Sequence, residues 1–229
     1  MKTVIVTGAS GNMGQAVVKK FLSEGYKVIG TAVPNDTVPL EINDLNFEKI
    51  IVDLMNEEDS AKFVNGIVEK YKTIDVVVST VGGFAMGSVE KTTTSDIYKQ
   101  YKLNFETAYN VARPAFIQML KQESGRIFLV GSRPGLDAKS GKGMVAYGLG
   151  KSLIFRVAEL MNDEAKGKNV VTSVLVPSTI DTPQNRKSMP DANPDNWVKP
   201  EAIADTIYFY CTESAAALRE PVIKLYNNA

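Results

Sequence analysis

The chain has 229 residues, 44% of them hydrophobic, which is enough to fill the core of one domain spanning 1–229. Its 26 Lys and Arg residues balance its 26 Asp and Glu residues, so no bulk charge attracts nucleic acid or an anionic membrane. The sequence has no His and one Cys, which excludes Ser–His catalysis, Cys–His catalysis and an internal disulfide. A metal site is disfavoured for the same reason, and we expect none.

Short β-branched segments alternate with longer helical patterns along the chain. The strands are predicted at 2–7, 27–32, 48–52, 74–80, 125–131, 169–176 and 221–225, and the helices at 12–24, 57–72, 95–122, 144–166 and 200–212. This alternation predicts an α/β fold, a doubly wound parallel sheet of about seven strands with helices on both faces. A long polar segment with three prolines, 181–199, precedes the last helix and is a candidate lid over a substrate.

No apolar run approaches the roughly twenty residues that a membrane-spanning helix needs. The first residues, KTVIVT after the initial Met, have a strand pattern rather than that of a signal sequence. We therefore expect a cytoplasmic protein without a membrane partner.

Three glycines, Gly8, Gly11 and Gly14, lie between the first predicted strand and the first predicted helix. Without side chains they allow a tight turn whose N–H groups can approach a pyrophosphate at the positive end of the helix. Their spacing differs from the common G-x-G-x-x-G pattern, but their position favours a dinucleotide loop over a structural turn.

Tyr147 and Lys151 lie four residues apart in YGLGK, so a helix places both on one face. An ammonium beside a phenol favours the phenolate and lowers its pKa, which makes Tyr147 a candidate proton donor. Tyr98 and Lys102 share this spacing, but no strand end such as Ser132 precedes them, and we predict that they are surface residues.

The motifs TGASGNMG, VDL at 52–54, VGG at 81–83, Asn104 and YGLGK together resemble the short-chain dehydrogenase/reductase family, over nearly the whole chain. More narrowly, VGGFAMG, GMVAYGLGK and VLVPSTIDTPQNRKSMPDA followed by Trp197 resemble the quinoid dihydropteridine reductases. The resemblance implies a Rossmann fold, NAD or NADP as cofactor, and hydride transfer to a quinonoid dihydropterin.

The resemblance also implies roles for individual residues. Lys151 would bind the nicotinamide ribose and tune Tyr147, and Asn104 would hold a proton-relay water at a kink in its helix. The implied cofactor-binding residues are Gly8, Ser10, Gly11, Asn12, Met13, Gly14, Ala32, Asp53, Leu54, Val81, Gly82, Gly83, Tyr147, Lys151, Pro177, Ile180 and Thr182. A purely structural role stays open for Asn104, which could bend its helix, for Asp53, which could end a strand, and for Thr182, which could form a turn.

Ser132 matches the carbonyl-polarising serine of the wider family, in the pattern S-x-x-G that ends at Gly135. Dihydropteridine reductases typically lack this serine, and its hydroxyl suits ketones or aldehydes. Its separation from Tyr147 is about two residues longer than usual, so Ser132 could point elsewhere. A reductase of small ketones or aldehydes using Ser132, Tyr147 and Lys151 is therefore the alternative function. A non-catalytic NAD(P) sensor is a third candidate function, although such a protein has no use for a proton donor and a neighbouring lysine that adjusts its pKa.

The second predicted strand ends at Ala32, where NAD-preferring relatives carry a carboxylate for the ribose 2′-hydroxyl. This absence favours NADP, while the lack of an adjacent Arg to hold a 2′-phosphate leaves NAD open.

An apolar substrate wall is predicted from four residues, Phe84, Met86, Met189 and Trp197, with Asn185, Arg186 and Lys187 as its polar members. The same residues could instead form only a packed lid. The apolar faces of helices 95–122 and 144–166 exceed what one sheet covers, and the family pairs these helices across a two-fold axis, so we expect a homodimer or homotetramer.

Overall fold

The structure, a computed structural model, describes residues 1–40 and 42–228. Seven parallel strands form its sheet, in the spatial order β3-β2-β1-β4-β5-β6-β7. They are β1 Thr3–Thr7, β2 Lys27–Ala32, β3 Phe47–Ile51, β4 Val76–Ser79, β5 Ser124–Val130, β6 Asn169–Pro177 and β7 Val222–Leu225. The predicted doubly wound parallel sheet is confirmed.

Helices cover both faces of this sheet. They are α1 Asn12–Ser23, α2 Glu57–Tyr71, α3 Thr94–Tyr101, α4 Thr107–Gln122, α5 Arg133–Leu136, α6 Val145–Glu164, α7 Pro183–Ser188 and α8 Pro200–Phe209. A five-residue π-helix, Lys102–Glu106, joins α3 to α4. The sequence predicted one continuous helix over 95–122 and missed α5 and α7, which are four and six residues long.

Alternate side chains of the central strands enter two cores. Ile5 and Val77 belong to the core under α2, α4 and α6, whereas Val4 and Val6 belong to the core under α1 and α8. Because both faces are covered, the strands are apolar throughout, as β4 with its fully buried VVVS shows.

The topological switch point lies between β1 and β4, the two strands whose crossovers leave in opposite directions. Thr80 fastens their carboxyl ends together, since its amide donates to Thr7 Oγ1 at 3.1 Å and its hydroxyl donates to the Thr7 carbonyl at 2.6 Å. Ligands of doubly wound sheets bind at this edge, which is where the predicted site residues gather.

Within the described residues, 1–40 and 42–228, no helix is long and apolar enough to cross a membrane. The same part of the chain holds no cluster of three or more His, Cys, Asp or Glu side chains suited to a metal ion. Cys211 packs beside the second core, where burial raises the pKa of its thiol to about 12.

Candidate active site

The glycine loop between β1 and α1 turns sharply before the helix. Gly8 has a positive φ of 62°, and its carbonyl accepts the Gly11 amide at 3.0 Å. A Cβ at Gly14 would overlap the same Gly8 carbonyl, so only glycine lets the start of α1 lie against the loop. Met13 is buried, so its side chain serves the core, whereas Asn12 is exposed.

A cavity of about 110 Å³ adjoins this loop. Its lining includes the predicted residues Gly8, Ser10, Ala32, Asp53, Leu54 and Val81. Asp53 lies two residues beyond β3 and stabilises the turn that follows, because its carboxylate accepts the Met55 amide at 3.0 Å. A glycine cradle at a helix N-terminus beside a small, mainly apolar cavity fits the pyrophosphate and adenine of a dinucleotide.

Asn110 orders this cavity from behind and was not singled out in the sequence. Its side-chain amide, on α4, donates to the Leu54 carbonyl at 3.0 Å and is buried. A polar residue inside the apolar stripe of a predicted helix was the available signal.

Gly82 and Gly83 follow β4 and meet Asn104 of the π-helix. The Asn104 amide forms two hydrogen bonds with Gly83, accepting its N–H at 3.1 Å and donating to its carbonyl at 2.9 Å. A third bond, to Gln100 Oε1 at 2.8 Å, completes the amide. Asn104 lies in the π-helix, a widened turn at the position where a kink was expected, and its side chain holds the β4 loop.

Lys151 is almost completely buried, and its Nζ donates to the Val130 carbonyl at 2.7 Å. Burial lowers the pKa of this ammonium to about 8. A Cβ at Gly82 would lie 3.2 Å from Lys151 Nζ and 2.8 Å from Asn104 Oδ1. Lys151, Asn104 and the β4 loop thus converge on one point.

Ser132 points toward Tyr147 despite the long spacing between them. A 3-10 turn, Ala138–Ser140, and the loop that follows it lie between the two residues. Ser132 caps α5 by accepting the Gly135 amide at 3.2 Å, and a Cβ at Gly135 would lie 2.7 Å from the Lys151 backbone. The S-x-x-G pattern therefore fixes the serine and packs α5 against α6.

The pKa of Tyr147 departs from its ordinary value in the direction opposite to our expectation. Burial raises it, and the hydrogen bond with Ser132 partly opposes that rise. The lowering that we expected from Lys151 is absent from this structure, where desolvation of the phenol is the largest effect and the Lys151 ammonium donates to Val130 instead.

The loop after β4 carries two of the predicted substrate residues to Tyr147. Gly87 pairs with the start of α6, donating to the Gly143 carbonyl at 2.7 Å. Phe84 consequently meets the Tyr147 ring edge to face, with centroids 5.2 Å apart. Phe84 and Met86 are 62% and 67% exposed, so apolar surface is open to a ligand beside the phenol.

The predicted lid, 181–199, is built around α7. Thr182 caps this helix by accepting the Asn185 amide at 3.1 Å, so its hydroxyl has a structural role. Asn185 also donates to the Ile180 carbonyl at 2.8 Å, and Arg186 forms a two-pronged ion pair with Asp181. Two of the three predicted polar substrate residues are therefore engaged within the segment.

The two predicted substrate residues of the lid differ in exposure. Met189 is 38% exposed, whereas Trp197 is 6% exposed and packed into the fold. Ile180 pairs with Val198 in an isolated bridge, so the segment returns to the carboxyl end of β6 at Pro177.

Asp36, which the sequence analysis did not single out, lies beside the glycine loop. Its side chain is 6% exposed, Oδ1 accepts the Val38 amide at 3.0 Å, and Oδ2 is 4.0 Å from Lys49 Nζ. The Ser10 hydroxyl and the Val38 amide hold the pKa of this carboxyl below its usual range. An Asn-Asp pair after a proline was the signal for a turn at this point.

The chain is similar to known proteins over most of its length. A family model described as short chain dehydrogenase matches residues 2–193. An acetoacetyl-CoA reductase of Acinetobacter sp. (strain RA3849) is 27% identical over 191 residues, 80% of this chain and 75% of that protein. A dihydropteridine reductase of Dictyostelium discoideum is 28% identical over 222 residues, 93% and 89% of the two chains. The solved structure of ElxO with NADP bound superposes with a TM-score of 0.86, at 22% identity, covering 98% of this chain and 96% of that one.

Proposed function

The chain belongs to the short-chain dehydrogenase family and is an NAD(P)-dependent oxidoreductase, and from that premise we propose that it reduces a quinonoid dihydropterin. An oxidoreductase is a catalyst, so this assignment disfavours the alternative of a non-catalytic NAD(P) sensor. The observation that carries the proposal is the exposed Phe84 ring set against Tyr147, an aromatic wall at the proton donor. A flat heteroaromatic substrate suits such a wall. The 28% identity to a dihydropteridine reductase over nearly the full chain supports the same substrate class.

Tyr147 is the proposed proton donor. The bound nicotinamide supplies a hydride, and a two-electron reduction also needs one proton. Burial keeps the phenol protonated at neutral pH, and Ser132 stabilises the phenolate that remains after transfer. Phe84 and Met86 shield the phenol from water once a substrate covers them.

Lys151 and Asn104 are the proposed supports of this step. The buried Lys151 ammonium is fixed by the Val130 carbonyl at the point where the glycine loop after β4 passes, which places it to bind a ribose hydroxyl. Asn104 holds that loop through Gly83, and the widened turn around it is the place for a relay water. The residues proposed to hold the cofactor are the glycine loop, Asp53 with Leu54, and the 177–182 segment.

A second candidate function is the reduction of small ketones or aldehydes, and Ser132 is the observation that favours it. Its oxygen accepts the Gly135 amide, and its one O–H is directed at Tyr147, so a substrate oxygen bound beside that phenol would receive the same proton.

Ser132→Ala separates the two functions. We expect the variant to lose about a hundredfold or more in kcat with a ketone or aldehyde, because a hydrogen bond to the developing oxyanion is removed. With quinonoid dihydropterin we expect less than about a tenfold loss, since only the effect on Tyr147 changes. Cofactor oxidation followed by absorbance, with both substrate classes and wild-type protein in parallel, measures this. A wild type that turns over ketones but no pterin would contradict the favoured substrate.

We also propose that α4 and α6 form a homodimer interface. Leu149, Leu153 and Leu160 lie along one side of α6 and are 38% to 56% exposed, and Ile117 of α4 is 43% exposed. An apolar stripe of this kind is rarely left in water.

Leu160→Glu should weaken that association, because it places a charge within an apolar contact. Light scattering should give at least twice 25.0 kDa for the wild type and a lower mass for the variant. Leu218→Glu, at a residue 40% exposed but outside both helices, is the control and should keep the wild-type mass. A wild-type mass of 25.0 kDa at micromolar concentration would refute the interface.

A further inference from the structure

The segment that follows β7, residues 226–228, leaves the sheet beside the base of the predicted lid, 181–199. β7 pairs with β6, and the pairing extends one residue past β6, because the Ser178 amide donates to the Leu225 carbonyl at 2.9 Å. The Ser178 hydroxyl also donates to the Tyr226 carbonyl at 2.8 Å. The segment is thus held to the sheet at the point where the chain leaves β6 for the lid.

The Tyr226 ring connects the same segment to the helix that follows the proposed catalytic serine. The Arg133 guanidinium lies over this ring, 4.1 Å from its centroid, in a cation–π contact. Arg133 directly follows Ser132 and begins α5, the helix that Ser132 caps. Segment 226–228 is therefore fixed relative to both β6 and Ser132.

Asn227 joins this fixed segment to the returning arm of the lid. Its side-chain amide donates one hydrogen bond to the Asp195 carbonyl and one to the Trp197 carbonyl, both at 3.0 Å. These carbonyls belong to a 3-10 turn, Pro194–Asn196, and to the residue after it. An amide NH2 group has two protons, so both are used here. Asn227 has a positive φ of 51°, a conformation that asparagine adopts more readily than most residues.

The two ends of the lid are bonded to each other at its base. The Val198 amide donates to the Thr179 carbonyl at 2.9 Å, and the Asp181 amide donates to the Val198 carbonyl at 2.8 Å. Because both bonds meet at one residue, they form a hinge and leave the angle of the lid to other contacts. The two bonds from Asn227 reach the arm beyond this hinge, so they set that angle.

We propose that Asn227 is a positioning residue for substrate binding, which holds the lid over a substrate bound beside Tyr147 and Phe84. It acts through the lid, because the sheet and α5 fix the segment and the two hydrogen bonds pass that position to the arm carrying Trp197. This inference rests on the proposed function, in which the lid covers the substrate of a reductase. Contacts from a lid are made equally in the substrate complex and in the transition state, so their loss should raise KM and spare the chemical step.

Two substitutions remove the donors of Asn227 in different ways. Asn227→Asp keeps the shape and tolerates the left-handed backbone but replaces both N–H donors with an acceptor. Asn227→Gly removes the side chain without adding a charge and allows the same backbone conformation. Asn227 is exposed, so neither variant leaves a cavity in the core.

We expect both variants to raise KM for quinonoid dihydropterin about tenfold, the effect of losing one or two hydrogen bonds. The single-turnover rate at saturating substrate and the affinity for the nicotinamide cofactor should change less than about twofold. Asn228→Asp places the same charge on the next exposed residue and should keep the wild-type KM.

Hydrogen exchange of the cofactor-bound proteins, measured without substrate, follows the lid itself. The amides of Trp197 and Val198 should exchange about tenfold faster in both Asn227 variants, whereas those of β7 should keep the wild-type rates. Unchanged exchange in the lid, or an unchanged KM despite faster exchange, would overturn the role of Asn227 while the reductase assignment stands. If the wild type reduces no quinonoid dihydropterin, the substrate proposal fails alone, and lid exchange together with KM for a ketone or aldehyde still decides the role of Asn227.

Discussion

Tyr147→Phe should still bind the nicotinamide cofactor and lose about a hundred- to ten-thousandfold in kcat, the contribution of a positioned general acid. The substitution removes the hydroxyl and keeps the ring, so the edge-to-face contact with Phe84 is preserved. The phenol is half-buried, and its hydrogen-bond partner is the Ser132 side chain. Turnover should therefore fall without a change in fold.

Tyr98→Phe is the matched control for this prediction. Tyr98 also precedes a lysine by four residues but is 62% exposed, so its substitution should leave both kcat and cofactor affinity at wild-type values. Stopped-flow measurement of cofactor oxidation with calorimetric measurement of cofactor binding separates the two properties. A Tyr147→Phe variant with wild-type kcat would remove Tyr147 as the proton donor.

Lys151→Met should abolish most activity and at the same time stabilise the cofactor-free protein at pH 7. Burial lowers the Lys151 pKa from 10.5 to about 8, so keeping this ammonium charged inside the fold costs about 3 kcal/mol at neutral pH. Loss of the hydrogen bond to the Val130 carbonyl destabilises the variant by about 1 kcal/mol, which reduces this gain. The variant should thus exceed the wild type by about 2 kcal/mol in the free energy of unfolding.

The difference between the two proteins should depend on pH in a defined direction. The unfolded chain holds the Lys151 proton more tightly than the folded one, so the cost is fully present below pH 8 and disappears as pH rises to 10.5. The wild type should accordingly gain stability relative to Lys151→Met over this window. Urea unfolding of both proteins at several pH values from 7 to 10.5 measures it. Parallel curves would show that Lys151 is not a strained buried ammonium.

The fold was largely predictable because each strand is short, apolar and followed by a helical pattern, and parallel sheets covered on both faces have that signature. The π-helix at Lys102–Glu106 was not predictable, because its residues keep the apolar pattern of an ordinary helix. Its position depends on the hydrogen bonds between Asn104 and the β4 loop. The short helices α5 and α7 begin with capping residues, Ser132 and Thr182, whose hydroxyls had been assigned to chemistry or to the cofactor.

At the site, sequence spacing correctly placed Tyr147 and Lys151 on one helix. It could not identify the hydrogen-bond partner of either side chain. The Val130 carbonyl holds Lys151 across 21 residues of sequence, and desolvation of Tyr147 depends on how the β4 loop meets α6. Asp36 escaped notice for a related reason. Its contact with Ser10 depends on a turn beyond the end of β2 that carries it back to the glycine loop, and local sequence does not reveal that turn's direction.

A single-turnover experiment tests the central proposal most directly. Wild-type protein saturated with reduced nicotinamide cofactor is mixed rapidly with quinonoid dihydropterin, and cofactor oxidation is followed together with tetrahydropterin formation. We predict that one cofactor is oxidised and one tetrahydropterin formed per active site. Cofactor that stays reduced, although both ligands are shown to be bound, would contradict the account.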